Sequence, residues 1–287
     1  IPGEFICEHL PQQAAMMDKF TIIRSVDCRH SNHEPNQVMQ TGNREAAPRV
    51  NRNGDRYPAI GSVVAKFRES NRSPVPAYVA FQKSPAHIGY AGYLGQQYDP
   101  FMGNQAAVLP VLDMVGKDSG RVSKSEMFQF TRDLSFERIE QRMGLLRELD
   151  HMRRELDSSG VIEAMDAYQQ KAYDMLTGNA VQRAFDLTQE SVATRELYGK
   201  HLWCQQALLA RRLVEAGVAF VTIDLSYHTA SGTWDNHGDN IPPYGGISKG
   251  LKPLLPLFDH MLTTLVSDLG QRGLLDDVLV IAMGEFG

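Results

Sequence analysis

The chain has few cysteines and no long apolar run. Its three cysteines, Cys7, Cys28 and Cys204, are spaced neither as a zinc site nor as a disulfide framework, so we expect mainly buried thiols, with one disulfide pair still compatible with the spacing. No apolar stretch approaches the ~20 residues that cross a bilayer. We therefore expect no transmembrane segment.

Several signatures of common enzyme and binding classes are also missing. No glycine-rich phosphate loop and no dinucleotide fingerprint occurs. Gly61-Ser62-Val63 lacks the second glycine and the preceding strand of a hydrolase nucleophile elbow. The formal net charge of −5 disfavours a nucleic-acid surface, which needs clustered lysine and arginine. We expect no nucleic-acid partner.

The composition is that of a globular protein with a large core. Of the 287 residues, 43% are hydrophobic and 22% are charged. The chain starts at Ile1 without a targeting segment and stops at Gly287, directly after an apolar run. We expect residues 1–287 to form one truncated domain from the interior of a longer protein.

The clearest pattern is a strand, a helix and a second strand in the last seventy residues. Val218–Leu225 and Val278–Met283 are short apolar runs rich in β-branched residues, typical of buried parallel strands. The helix between them has an apolar stripe at steps of three and four, with prolines in its first turns and Gly273 at its end. The stripe consists of Leu251, Leu255, Phe258, Leu262, Leu265 and Leu269. This order predicts a right-handed βαβ unit in an α/β fold.

The earlier sequence predicts further elements of the same fold. Short strands are expected at Phe20–Val26 and Pro76–Phe81, and helices at Ile60–Phe67 and before Thr41-Gly42. Residues 89–120 lack periodicity, and we expect an irregular excursion there. Amphipathic helices, including residues 180–197 and 202–216, follow. We assign about 125–200 to a helical insertion in a mostly parallel sheet domain.

Two polar segments that follow predicted strands are the main candidates for a site. Asp235 and His237 are two residues apart, so in an extended loop both can reach one metal ion, and Glu285 follows the last strand. These residue types suit zinc or manganese. A turn-rich loop without metal and a capping glutamate are the structural alternatives, and Trp234 favours a loop fixed against the core.

The second segment is the turn His30-Ser31-Asn32-His33-Glu34, which follows the first predicted strand. Open α/β sheets build their sites beyond the carboxyl ends of strands. His228 could contact substrate or simply be a surface histidine. The basic loop Arg44–Arg56 could hold an anion, although a solvated loop is the commoner outcome for such a composition.

Several motifs together resemble a large bacterial family catalogued as domain of unknown function 1501, abundant in planctomycetes. The motifs are listed in chain order: Ile23-Arg24-Ser25-Val26 with His33 and Thr41-Gly42, Tyr93-Leu94-Gly95, Ala184-Phe185-Asp186-Leu187, Leu208–Val218, Trp234-Asp235-Asn236-His237, and Gly273–Asp277 leading to Met283–Gly287. They are spread over nearly the whole chain.

The resemblance implies an alkaline phosphatase or sulfatase-like sandwich and a metal-dependent hydrolase of phosphate or sulfate esters. It implies Ser31 as nucleophile with His33 beside it, and Asp235, His237 and Glu285 as ligands of a divalent ion, with zinc, manganese or calcium allowed. His30, His228, Asp239 and Asn240 would contact the substrate or support the ligands. Phe286 stands where that superfamily often has a histidine ligand.

The same resemblance implies a small-molecule or polysaccharide ester as substrate and an exported protein. The alternative is a non-catalytic relative that keeps the fold as a binding or scaffold module, for example for sulfated polysaccharide. The oligomeric state, the metal and the substrate are not specified by the sequence.

Overall fold

The computed structural model defines a mixed α/β fold. It describes residues 5–25, 35–43, 57–68, 75–82, 87–113, 116–125, 179–227, 233–234 and 245–284, and the single positions 138, 140, 141, 144, 173 and 236.

The described elements are five strands and seven α-helices, with several short 3₁₀ turns. The strands are β1 Tyr78–Phe81, β2 Phe101–Met102, β3 Pro110–Leu112, β4 Asp118–Val122 and β5 Phe220–Ile223. The helices are α1 Pro11–Ala15, α2 Pro35–Thr41, α3 Ile60–Arg68, α4 Asn179–Phe185, α5 Val192–Tyr198, α6 Leu202–Glu215 and α7 Lys252–Gln271, the last preceded by a π-helical segment at Gly246–Leu251.

Three strands form a parallel sheet in the order β2-β1-β5. The central strand β1 pairs with β5 from Tyr78 opposite Phe220 to Phe81 opposite Ile223. Strands β3 and β4 make a separate antiparallel hairpin. The prediction of a mostly parallel sheet in an α/β fold is therefore confirmed for the described residues.

Helices cover both faces of the central strand. Val79 and Phe81 point into a core shared with α4 and α6, whereas Tyr78 and Ala80 point the other way toward α3. Gly61 brings α3 close to the sheet, because a β-carbon at this position would lie 2.6 Å from the ring of Tyr78. All four residues of β1 are buried, which explains its continuous apolar sequence.

Helices α6 and α7 pack side by side and form a second core. It contains Trp203 and Leu208 from α6 and Leu262 and Leu269 from α7. Helix α7 ends as predicted, since Gly273 has a φ of +70°. Two hydrogen bonds close this end as in a Schellman motif: N–H of Gly273 to the carbonyl of Gly270, at 3.1 Å, and N–H of Leu274 to the carbonyl of Leu269, at 2.8 Å.

Two predicted strands are wrong within the described residues. Residues 278–284 are unpaired: Val278 and Val280 pack on the second core while Leu279 is 83% exposed. Residues 20–25 also form no strand: Phe20 packs against the second core, and residues 21–25 are exposed. The run 278–283 suggested burial on two faces, but it contacts the core through one face only, so the predicted βαβ unit lacks its second strand among the described residues.

Other element boundaries also differ from expectation. The stretch 89–120 contains β2, β3 and most of β4 rather than only irregular chain. The predicted helix 180–197 is two helices, because Asp186 and Ser191 each cap a new turn through the amide of Thr188 and of Thr194. Most of the predicted helical insertion, 125–200, lies outside the described residues, and its described end is helical. None of the described helices combines the length and apolar character needed to cross a bilayer.

A buried ionic network joins the carboxyl-terminal ends of α6 and α7. The guanidinium of Arg211 is fully buried and lies 2.9 Å from Asp268, 2.6 Å from Glu215 and 2.8 Å from Glu190. Arg272 lies 2.8 Å from Asp268 and 3.0 Å from Glu215, and Arg212 extends the network to Glu190. Three carboxylates thus face three guanidinium groups, which is the arrangement that makes burial of charge tolerable.

This network predicts loss of stability in acid. Burial by itself raises the pKa of Glu190, but hydrogen bonds from Arg211 and Arg212 outweigh burial and lower the pKa from 4.5 to about 2. Because the folded-state value is the lower one, the stabilisation is complete above about pH 4.5 and is lost as the pH falls toward 2. Its size is about 3 kcal/mol.

The measurement is urea unfolding at a series of pH values for the wild type and for Glu190→Gln. We expect the free energy of unfolding of the wild type to fall between about pH 5 and pH 2.5, and the Glu190→Gln variant to fall less steeply over that range. Parallel curves for the two proteins would contradict the assigned role of Glu190.

Candidate functional site

The carboxyl ends of β1 and β5 meet at one edge of the parallel sheet. The amide of Asp224, the first residue after β5, donates to the carbonyl of Phe81, the last residue of β1, at 2.8 Å. Gln82 follows Phe81 in the chain, and its amide donates to Asn104 Oδ1 at 2.8 Å. This edge is where α/β sheets place their ligand sites.

A histidine and a carboxylate are paired at this edge. Nδ1 of His87 lies 2.8 Å from Oδ2 of Asp224 and 3.2 Å from Oγ of Ser226. The side chains of His87 and Asp224 are 23% and 10% exposed. A carboxylate only accepts hydrogen bonds, so Nδ1 must carry the proton in this pair. Nε2 is therefore the ring nitrogen left to act on another molecule.

The backbone beside His87 is held on three sides. Gln40 of α2 donates from Nε2 to the carbonyl of His87 and accepts from the amide of Gly89, both at 2.6 Å. Ile88 is buried among residues of α3 and β1. The carbonyl of Tyr90 accepts from the amide of Ala59 at 2.8 Å. These contacts position the imidazole before any ligand binds.

The geometry excludes a Ser-His-Asp triad built from these residues. In such a triad the serine contacts Nε2 and the carboxylate contacts Nδ1. Here Ser226 and Asp224 both approach Nδ1 of His87. Ser226 supports the pair rather than acting as a nucleophile.

The loop that leaves β5 turns back onto the helical layer. Trp234 donates from its indole nitrogen to the carbonyl of Leu225 at 2.6 Å, and Thr233 Oγ1 accepts from the amide of Tyr227 at 3.0 Å. The ring of Trp203, in the first turn of α6, lies between those of Tyr227 and Trp234, with centroid distances of 4.8 and 5.8 Å. We call Tyr227, Trp203 and Trp234 the aromatic stack. It fixes the start of this loop near the sheet edge.

Two neighbouring features complete the described part of the site. His201 caps α6 by accepting from the amide of Trp203 at 3.2 Å, and burial lowers its pKa to about 4, so it stays neutral near pH 7. Asn236 donates to the carbonyl of Trp234 at 3.1 Å, and its Oδ1 is buried without a partner among the described residues. That oxygen occupies the space a side chain at Gly250 would need, which explains a glycine in the π-helical segment.

All the site residues predicted from sequence lie outside the described residues. They are Ser31 and His33 as catalytic residues, Asp235, His237 and Glu285 as metal ligands, and His30, His228, Asp239 and Asn240 as supporting residues. The loop Arg44–Arg56 lies outside them as well. Their roles remain predictions. Among the described residues no group of three or more His, Cys, Asp or Glu side chains could hold a metal ion.

The described neighbours of these residues nevertheless reach the sheet edge. Trp234 and Asn236 flank Asp235 in sequence. Trp234 belongs to the aromatic stack, and Asn236 donates a hydrogen bond to the carbonyl of Trp234. Residues 30–34 immediately precede α2 in the sequence, and Gln40 of α2 holds the His87 segment.

Sequence reasoning missed the pair of His87 and Asp224. The available signal was position, because Asp224 ends the apolar run of β5 and His87 comes shortly after that of β1. The sequence pattern predicts a strand that includes Asp224, and it marks no site in the segment Ser84-Pro85-Ala86-His87. Only the parallel pairing of β1 with β5 shows that the two segments meet.

A surface depression lies elsewhere in the described part of the molecule. It has a volume of about 330 Å³ and is lined by Val75, Arg183, Arg212, Glu215 and Ala216, among others. Val75 precedes β1 and Ala216 precedes β5, so the depression lies at the amino end of the sheet. Arg212 there already donates to the carbonyls of Arg183 and Ala184 and to Glu190.

The fold and the edge geometry define an α/β protein whose polar residues gather at the carboxyl ends of parallel strands. The family model described as "Protein of unknown function (DUF1501)" matches residues 1–287, and the chain belongs to this family. No curated protein and no solved structure matches the chain.

Proposed function

We propose that this protein is a metal-dependent hydrolase of phosphate or sulfate esters, with an alkaline phosphatase or sulfatase-like fold. One observation carries the proposal: the loop that contains Asp235 starts from the carboxyl edge of the parallel sheet, is fixed there by the aromatic stack, and shares this edge with His87 and Asp224. Ester hydrolysis needs charge stabilisation and proton transfer at one place, and this edge offers both residue types.

Asp235, His237 and Glu285 are the residues we propose to hold the divalent ion. Carboxylate oxygens and imidazole nitrogens are donors that zinc and manganese accept, and calcium would rely on the carboxylates. A bound ion of this kind polarises an ester oxygen and lowers the pKa of an attacking hydroxyl group. The anchored neighbours Trp234 and Asn236 limit the loop conformations, which lowers the entropic cost of gathering the ligands.

We propose Ser31 as the nucleophile, with His33 beside it. Ser31 carries the one hydroxyl group of the turn before α2. The hydrogen bonds of Gln40 tie α2 to the His87 segment, which supports a location for the preceding turn at the same edge. In the proposed reaction, the serine oxygen attacks phosphorus or sulfur, and water later releases the enzyme.

The test combines metal analysis with two chromogenic esters. We expect the purified protein to contain stoichiometric divalent metal and to hydrolyse 4-nitrophenyl phosphate or 4-nitrophenyl sulfate. Asp235→Asn should lower both the metal content and kcat/KM at least ~100-fold. Asp276→Asn, which neutralises an exposed carboxylate after α7, is the matched control and should leave both unchanged.

The other outcomes separate the alternatives. Absence of metal and hydrolysis, together with binding of sulfated polysaccharide, would support the scaffold alternative and its loop Arg44–Arg56. A lower melting temperature of Asp235→Asn with unchanged activity and metal content would show that this residue only stabilises its loop.

A further inference from the structure

We propose that His87 is the proton donor for the leaving group, with Asp224 as the residue that positions it. This inference rests on the proposed function, since it assigns a step of the same ester hydrolysis. It concerns a pair of residues that the motifs of the sequence did not mark.

Asp224 and Ser226 fix the orientation of the His87 ring. Asp224 is held at the end of β5 by the hydrogen bond from its amide to Phe81, and its carboxylate accepts the proton on Nδ1 of His87 at 2.8 Å. A carboxylate in this position stabilises the positive charge of a protonated imidazole and fixes the ring. Ser226, at 3.2 Å from the same nitrogen, restricts the ring further.

Nε2 of His87 is the ring nitrogen that another molecule can reach. Among the described residues, Nε2 of His87 has no hydrogen-bond partner, and the side chain is 23% exposed. Here one nitrogen is anchored and the other faces away from the anchor.

The backbone around His87 is held in place before any substrate binds. The two hydrogen bonds of Gln40 and the burial of Ile88 hold the backbone on both sides of the ring. A proton donor held in this way loses little entropy when the substrate binds.

In this step Ser31 attacks as the alkoxide and is later released as the alkoxide, so protons pass only between His87, the leaving oxygen and water. As the bond between phosphorus or sulfur and the leaving oxygen breaks, that oxygen takes the proton from Nε2 of His87, and the alcohol departs. The ring is then neutral, with its remaining proton on Nδ1 held by Asp224. When water attacks the ester formed with the enzyme, Nε2 accepts a proton from that water, and the starting state is restored.

The test compares two esters that differ in their need for a proton. Phenolate is a poor leaving group because the pKa of a phenol is about 10, whereas nitrophenolate leaves readily without protonation. We expect His87→Gln to lower kcat for the phenyl ester roughly 10²–10⁴-fold and kcat for the 4-nitrophenyl ester less than ~10-fold. Asp224→Asn should give the same selectivity, because an amide does not stabilise the protonated ring.

The control is His260→Gln, which removes an imidazole whose Nε2 lies 3.1 Å from the carbonyl of Tyr198 within the helical layer. It should change the two rates by the same factor. Equal losses on both esters in His87→Gln and Asp224→Asn, or no loss in either variant, would overturn the assignment while leaving the hydrolase proposal intact. Absence of hydrolysis in the wild type would overturn the hydrolase proposal itself, and with it this step.

Discussion

Replacing Arg211 with methionine is expected to lower the free energy of unfolding by ~3–5 kcal/mol, because it leaves buried carboxylates without their partner. Methionine retains much of the aliphatic volume, so the loss reports mainly on charge. Arg211 is the fully buried member of the network and lies within 2.9 Å of all three carboxylates, those of Glu190, Glu215 and Asp268.

Asp268 suffers most from this change. It is 5% exposed, accepts from Tyr198 Oη at 2.9 Å, and keeps one cation, Arg272, at 2.8 Å. Its second oxygen would lose the Arg211 contact and become a partly unpaired buried acceptor. We therefore expect α5, α6 and α7 to loosen together.

The measurement is urea unfolding followed by tryptophan fluorescence. The chain has two tryptophans, Trp203 and Trp234, and both belong to the aromatic stack, so the signal reports on the layer formed by α6 and α7. Arg183→Met is the matched control, because Arg183 is exposed, and we expect a change within ~0.5 kcal/mol. A loss below ~1 kcal/mol in Arg211→Met would contradict the structural role of the network.

Replacing Trp203 with alanine is expected to lower the free energy of unfolding by ~3–5 kcal/mol and to reduce the proposed ester hydrolysis as well. Its side chain is fully buried and separates the rings of Tyr227 and Trp234. Removing it leaves a cavity and frees both neighbours, which belong to the chain that leaves β5. The stability effect comes from packing, and the activity effect comes from the loop that contains Asp235.

Unfolding of this variant is best followed by far-ultraviolet circular dichroism, because it lacks one tryptophan. Phe67→Ala removes an aromatic ring that is 80% exposed and serves as the control, with little expected change in either property. If Trp203→Ala loses stability but keeps full kcat/KM at a temperature where it is folded, the stack does not support the site.

Periodicity in the sequence predicted the long helices and the central strand. The stripe from Leu251 to Leu269 and the end at Gly273 correspond to α7, and the apolar run before Phe81 corresponds to β1. These predictions succeed because burial of one helix face or of a whole strand leaves a local pattern. The same reasoning failed for residues 278–284, where an apolar sequence lies on the surface of the second core with one face exposed.

The candidate site was only partly predictable. Trp234 was expected to fix its loop, and its hydrogen bond to Leu225 and its stacking on Trp203 confirm this. His87 and Asp224 are 137 residues apart in sequence, and no local pattern links them. Their meeting depends on the pairing of β1 with β5, which is a property of the tertiary fold.

We propose that the loop containing Asp235 and His237 binds a divalent ion and shares the carboxyl edge of the parallel sheet with His87 and Asp224. The most direct measurement is a crystal structure of the protein with Zn²⁺ or Mn²⁺, in which anomalous scattering locates the ion. We predict a peak beyond the carboxyl ends of β1 and β5, bound by Asp235 and His237, with Nε2 of His87 facing the same space. An ion bound at the amino end of the sheet, or Asp235 and His237 turned away from that edge, would contradict the account.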